Sequence, residues 1–220
     1  MYESLAPDSI RFQTTEYAGR GGRLRERLEF DANIIAQDIF NQINQFCDNE
    51  NFTIYGHSLG GLIGYLVTRL LWERRMILPA HLFITGTTGP SSLSRGEKKR
   101  HLLPKDDFIQ ELKHLKGMPD EILANADLLE YYEPILRADF QASETYVHHR
   151  KPPVNLPLTV ITGSEEEMEQ SDILLWQNET TVEAEFIQLP GPHFFINDHS
   201  RRIVEIISER LLTKKQVYQL

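Results

Sequence analysis

Short runs of β-forming residues alternate with longer stretches of helical periodicity, and this alternation restricts the chain to α/β architectures. Phe52-Thr53-Ile54-Tyr55, His81 to Thr87, Leu158 to Thr162 and Glu185 to Leu189 read as short buried strands. Ile10 to Thr15 reads as another, giving about five. Between them, Phe30 to Phe46 places Ile34, Ile35, Ile39, Ile43 and Phe46 at amphipathic spacing, and Leu62 to Glu73 reads as a mostly buried helix. A last helix is expected from about His199 to Leu212. Strands joined through helices form a parallel sheet covered on both faces, because each crossover needs a helix.

One stretch interrupts the pattern. From about Gly96 to Val154 no strong strand signal appears, only helical segments broken by Pro104, Gly117-Met118-Pro119 and Pro134. A plain loop of that length does not fit a compact domain. The expectation is therefore one domain over residues 1–220, with a helical insertion over about 96–154. Ligands bind at the C-terminal edge of such sheets, so the insertion reads as a lid over that edge.

Composition excludes several classes. With 220 residues the chain can bury a core without staples. A net charge of −9 argues against nucleic acid or an anionic membrane as partner. Cys47 is the only cysteine, which excludes an intrachain disulfide and a cysteine-based zinc site. Met1-Tyr2-Glu3-Ser4 lacks the basic start and apolar core of a signal peptide, and no apolar run reaches membrane length. A cytoplasmic protein without a cofactor or metal is expected. Gly19-Arg20-Gly21-Gly22 lacks the G-K-[ST] ending of a phosphate-binding loop.

Chemistry concentrates in Gly56-His57-Ser58-Leu59-Gly60, a G-x-S-x-G pentapeptide. Glycine and serine are common, so context decides: the pentapeptide closes a strand and opens a helix, as a nucleophile elbow must. A turn this sharp is expected to need both glycines, since a Cβ at either place would strike the strand or the helix. The helix start offers free N–H groups, Leu59 N–H first, where negative charge would develop on an attacked carbonyl.

A serine hydroxyl needs a base, and the base an orienting carboxylate. In elbow proteins of this kind the order is Ser, acid, His, with the later two on loops after later strands. Of the eight histidines, His193 alone sits between the last strand and the last helix. The ring of His57 is expected to point away from the serine into packing, while His101, His114, His148 and His149 read as solvated residues of the insertion. The acid should come from Glu165-Glu166-Glu167 after the strand ending at Thr162, and Glu166 is preferred over Glu165. No carboxylate follows Ile84-Thr85-Gly86-Thr87-Thr88, which removes the other usual place for it.

These residues resemble the type II, stand-alone thioesterases of nonribosomal-peptide, polyketide and fatty-acid synthesis, within the α/β-hydrolase superfamily. The resemblance runs from Ala18-Gly19-Arg20-Gly21-Gly22-Arg23, through Tyr55 to Gly61, to Gly191-Pro192-His193-Phe194-Phe195. Leu102-Leu103-Pro104, Gly117-Met118-Pro119, Leu136 to Phe140, Glu144-Thr145-Tyr146, Trp176 and Thr180 fall in the same order as the family's other segments. It implies Ser58 as nucleophile, His193 as base, Glu166 in the place of the family's aspartate, and Leu59 N–H as one oxyanion donor. It also implies a strand and a glycine-rich loop with the second donor, which would precede Met1. A chain beginning inside that domain is expected to have an open sheet edge and a rate lowered by about 10²–10³.

The implied substrate is an acyl thioester on the phosphopantetheine arm of a carrier protein, cleaved by a monomer. Phe108, Leu112, Leu115, Met118 and Tyr131 become candidate acyl contacts, or else packing between the insertion's helices. Lys98-Lys99-Arg100 becomes a docking patch for an acidic carrier, or else a solvated run. Two other functions fit the same residues: a carboxylesterase or lipase of small esters, and a non-catalytic binding module of hydrolase fold.

Overall fold

A computed structural model describes residues 2–43 and 52–217. The elements in chain order are α1 (Ala32–Ile43), β1 (Ile54–His57), α2 (Leu59–Glu73), β2 (Leu82–Thr85), α3 (Lys105–Leu115), α4 (Asp120–Leu123), α5 (Ala126–Glu144), β3 (Leu158–Gly163), α6 (Gln170–Leu174), β4 (Glu185–Leu189), α7 (Phe195–Asp198) and α8 (Ser200–Val217). Cys47 and the expected end of the first helix at Phe46 lie outside the described residues.

The four strands form a parallel sheet in the order β1-β2-β3-β4, with Tyr55 opposite Phe83, Ile84 opposite Val160 and Ile161 opposite Ile187. Every residue of β2 and β3 is buried, so these strands read as unbroken apolar runs. Their side chains still alternate between faces. Leu82, Ile84, Leu158 and Val160 join one core cluster with Ile35, Phe40, Leu62 and Leu66, from α1 and α2. Phe83 and Ile161 turn the other way, onto Ile203, Ile206 and Ile207 of α8. Each such side chain removed from water contributes about 1.5–3 kcal/mol, and that drive holds helices on both faces. The helix α2 is buried on nearly every side, which explains its lack of a polar face.

Two expectations are corrected. Ile10 to Thr15 is not a strand, so the described residues hold four strands and not five. Its residues suit a pleated surface, but among the described residues it joins no ladder with another strand, and a strand is defined by its ladder. In α1 the buried stripe is Ala32, Ile35, Ala36, Ile39 and Phe40, while Ile34 faces solvent.

Between β2 and β3 the chain is helical, with α3, α4 and α5 preceded by two short 3-10 turns. Asn125 caps α5 by accepting from Asp127 N and Leu128 N. These helices bury their own apolar faces: Phe108, Leu112, Leu123 and Leu129 form a separate cluster, with Phe140 edge-on to Phe108 at 5.7 Å. Phe108 and Leu112 are therefore interior residues that pack the insertion's helices together, while Tyr131 is exposed. His101 and His148 are also not solvated. His101 Nδ1 lies 2.6 Å from the buried Glu144 carboxylate, and His148 Nε2 lies 3.4 Å from that of Glu179. No helix among the described residues is long and apolar enough to cross a membrane.

Candidate active site

Because all four strands run parallel, the loops after β1, β3 and β4 gather at one edge of the sheet. The loop after β1 is a single residue. Ser58 has φ 53° and ψ −119°, a left-handed conformation that costs a non-glycine residue about 1–3 kcal/mol. Surrounding bonds impose it: Ser58 N–H donates to Thr85 O at 2.8 Å, while Ser58 O accepts from Gly61 N at 3.0 Å. The helix α2 begins at Leu59, three residues earlier than expected, so Leu59 N–H belongs to the first turn and has no acceptor within the helix.

The glycines on either side of the elbow are not equivalent. A Cβ on Gly56 would lie 2.1 Å from the Gly60 carbonyl oxygen, so β1 and α2 can meet there only without one. A Cβ on Gly60 would meet nothing closer than the Tyr17 hydroxyl at 3.8 Å. The second constrained position is Gly61, where a Cβ would stand 2.9 Å from Ile84 Cγ2. The expectation for Gly60 is corrected accordingly: the crowding passes one residue further into the helix.

The three consecutive glutamates separate in space. Glu166 turns inward, its side chain 3% exposed, and its Oε2 accepts from Gly163 N–H at 2.7 Å. Its Oε1 lies 2.6 Å from His193 Nδ1, across 27 residues of sequence. With Nδ1–H donated to this carboxylate, Nε2 of His193 is left as the basic nitrogen. Glu165 and Glu167 face solvent. The acid and histidine loops are also stitched together through their backbones, Ser164 N to Leu189 O at 2.8 Å and Glu165 N to Gly191 O at 2.9 Å.

His57 packs as expected, and its packing partner is His193, with ring centroids 4.7 Å apart. Alternation along a strand puts residue 57 on one face, but only the fold brings the β4 loop onto that face. His57 Nδ1 pairs with Thr85 Oγ1 at 3.0 Å. Burial, and then the neighbouring His193, push the His57 imidazole down to about 3. His57 is thus neutral wherever the unfolded chain's histidine would begin to protonate. The unfolded state binds the extra proton, so stability falls as pH drops from about 6.5 towards 3, by up to about 1.4 kcal/mol per pH unit. Urea midpoints measured from pH 7 to pH 4 should decline steeply, and His57→Gln should flatten that decline. An identical slope in the variant would remove His57 as its source.

Outside the site, the glycine-rich loop makes internal ion pairs. Arg20 reaches Asp139 of α5 at 2.7 Å, and Arg23 pairs with Glu26 and Asp38. The proposed docking patch is likewise engaged: Arg100 bonds Glu111 and the buried Glu144, and Lys98 pairs with Glu167. Trp176 is fully buried, its indole N–H donating to Thr87 O at 3.0 Å, and Thr180 donates to Leu156 O at 2.5 Å. Among the described residues no cluster of His, Cys, Asp and Glu could hold a metal ion.

A parallel sheet with helices on both faces, a strained serine between strand and helix, and a histidine–carboxylate pair at the same edge define the class of α/β-hydrolases. The solved structure of ClbQ from the colibactin NRPS/PKS pathway superposes with a TM-score of 0.91 at 27% identity, covering 98% of this chain and 91% of that one. The thioesterase domain family matches residues 1–211, and the chain belongs to that family. Among curated relatives, the gramicidin S biosynthesis protein GrsT of Aneurinibacillus migulanus is 29% identical over 93% of this chain and 80% of its own length. The medium-chain S-acyl fatty acid synthase thioesterase of Rattus norvegicus is 29% identical over 86% of this chain and 72% of its own. The resemblance to type II thioesterases therefore holds, and the protein is a hydrolase of thioester bonds.

Proposed function

We propose that the protein cleaves acyl thioesters carried on the phosphopantetheine arm of a carrier protein, by way of an acyl-serine on Ser58. The observation that carries this reading is the buried Glu166 holding His193 by its Nδ1, at the sheet edge where the strained Ser58 stands. His193 Nε2 takes the Ser58 proton as the hydroxyl oxygen attacks the thioester carbonyl. Leu59 N–H and the positive end of α2 face the developing oxyanion. The carbon–sulfur bond breaks, the thiol arm leaves with the proton, and water then attacks the acyl-serine by the same route in reverse. Glu166 keeps the imidazole in the right tautomer and stabilises the imidazolium. The helices between β2 and β3 are read as the lid of the acyl channel. Relatives named for gramicidin S biosynthesis, and a solved relative from the colibactin NRPS/PKS pathway, support release of acyl groups from such assembly lines.

The test compares an acyl-pantetheine thioester with the p-nitrophenyl ester of the same acyl group. A kcat/KM at least about tenfold higher for the thioester is expected, a difference of about 1.4 kcal/mol in transition-state binding. Preference for the ester would instead make the protein a carboxylesterase or lipase. Turnover of neither, at the level of Ser58→Ala, would make it a binding module.

A further inference from the structure

Each member of the His193–Glu166 pair is followed in sequence by a residue that the helical insertion grips. Phe194 follows His193, and its ring meets the imidazoles of His193 and His57 at 5.0 and 5.3 Å. The same ring abuts the turn after α3: a Cβ on Gly117 would lie 2.0 Å from Phe194 Cε2 and 2.5 Å from Cζ. Glu167 follows Glu166 and pairs with Lys98, while His114, in the last turn of α3, places its Nε2 3.2 Å from the same carboxylate. A segment that merely covered substrate would have no need to touch both neighbours. The loops after β3 and β4 are irregular; they bond to each other through their backbones, Gly163 N–H and the buried Phe195 fix their bases, and the insertion adds the contacts at Phe194 and Glu167.

We propose that residues 98–117 are a positioning element, which seats the His193–Glu166 pair through Phe194 and Glu167 and so assembles the base only when the insertion rests on the sheet edge. The inference builds on the catalytic pair put forward above. Phe194 and Glu167 act through their neighbours and do not touch the reacting atoms. A shift of about 1 Å in the imidazole can cost about 10² in rate, so loosening either grip acts on kcat.

Glu167→Ala and Phe194→Ala are assayed on p-nitrophenyl acetate, which needs no acyl channel, and on a long-chain acyl-pantetheine. The expected result is a fall in kcat of about tenfold on both substrates with KM little changed. The paired exchange of Lys98→Glu with Glu167→Lys should recover much of the rate that Glu167→Ala loses. Glu167 is exposed, so its variant reports even where Phe194→Ala fails to fold. A loss confined to KM for the long chain, with p-nitrophenyl acetate unaffected, overturns the inference and leaves a simple cover. Wild-type turnover of both substrates no faster than Ser58→Ala overturns the catalytic reading, and this inference with it.

Discussion

Ser58→Ala and His193→Ala are each expected to lower thioester kcat by about 10⁴–10⁶, and the double variant by no more than the worse single one. The non-additivity follows from the mechanism: an alkoxide cannot form without a proton acceptor, and a base without the hydroxyl has nothing to activate. Glu166→Gln is expected to cost about 10⁴, because an amide nitrogen would favour the wrong tautomer of His193, whose Nδ1 now lies 2.6 Å from Glu166 Oε1. Glu166→Asp, which keeps a carboxylate on a side chain one methylene shorter, should fall between Gln and wild type. Single-turnover thioester hydrolysis checks the series. Strictly multiplicative losses in the double variant would mean that Ser58 and His193 do not act as a unit.

The second large effect is structural. Gly56→Ala places a Cβ 2.1 Å from the Gly60 carbonyl oxygen, so β1 and α2 must part where the elbow is formed. A loss of about 3 kcal/mol or more is expected, at the upper end of overpacking costs, together with loss of activity. Gly60→Ala meets no such contact and lies within the first turn of α2, so its stability should remain within about 1 kcal/mol of wild type. Gly61→Ala should fall between them, since the Ile84 methyl it meets can give way. Urea midpoints of the three variants test the ranking. Equal losses at Gly56 and Gly60 would contradict the geometry of the turn.

That ranking shows where the pentapeptide as a string of letters misleads. G-x-S-x-G treats its two glycines alike, whereas contact across the turn falls on Gly56 and Gly61. The carboxylates teach a similar lesson. Three adjacent glutamates carry one sequence signal, yet one is buried against His193, one pairs with the insertion and one faces water. Nothing local distinguishes them, because the difference lies in which way the backbone turns after Gly163. His57 was legible as part of the motif but not as a neighbour of His193, since the contact joins β1 to a loop more than a hundred residues away.

The segment at Ile10–Thr15 failed for the complementary reason. Propensity reports that a segment suits a sheet, and only a paired neighbour makes it a strand. By contrast β2 and β3 were legible, since burial on both faces demands the unbroken apolar runs that local sequence displays.

The order of residues alone specified the alternating architecture, the serine between strand and helix, and a histidine after the last strand. Those features depend on short-range periodicity and on turns only a few residues long. The choice among the glutamates, the seat of His57, and the hold of residues 98–117 on Phe194 and Glu167 were decided in three dimensions. Each requires the packed sheet to bring together groups whose separation along the chain leaves no local trace.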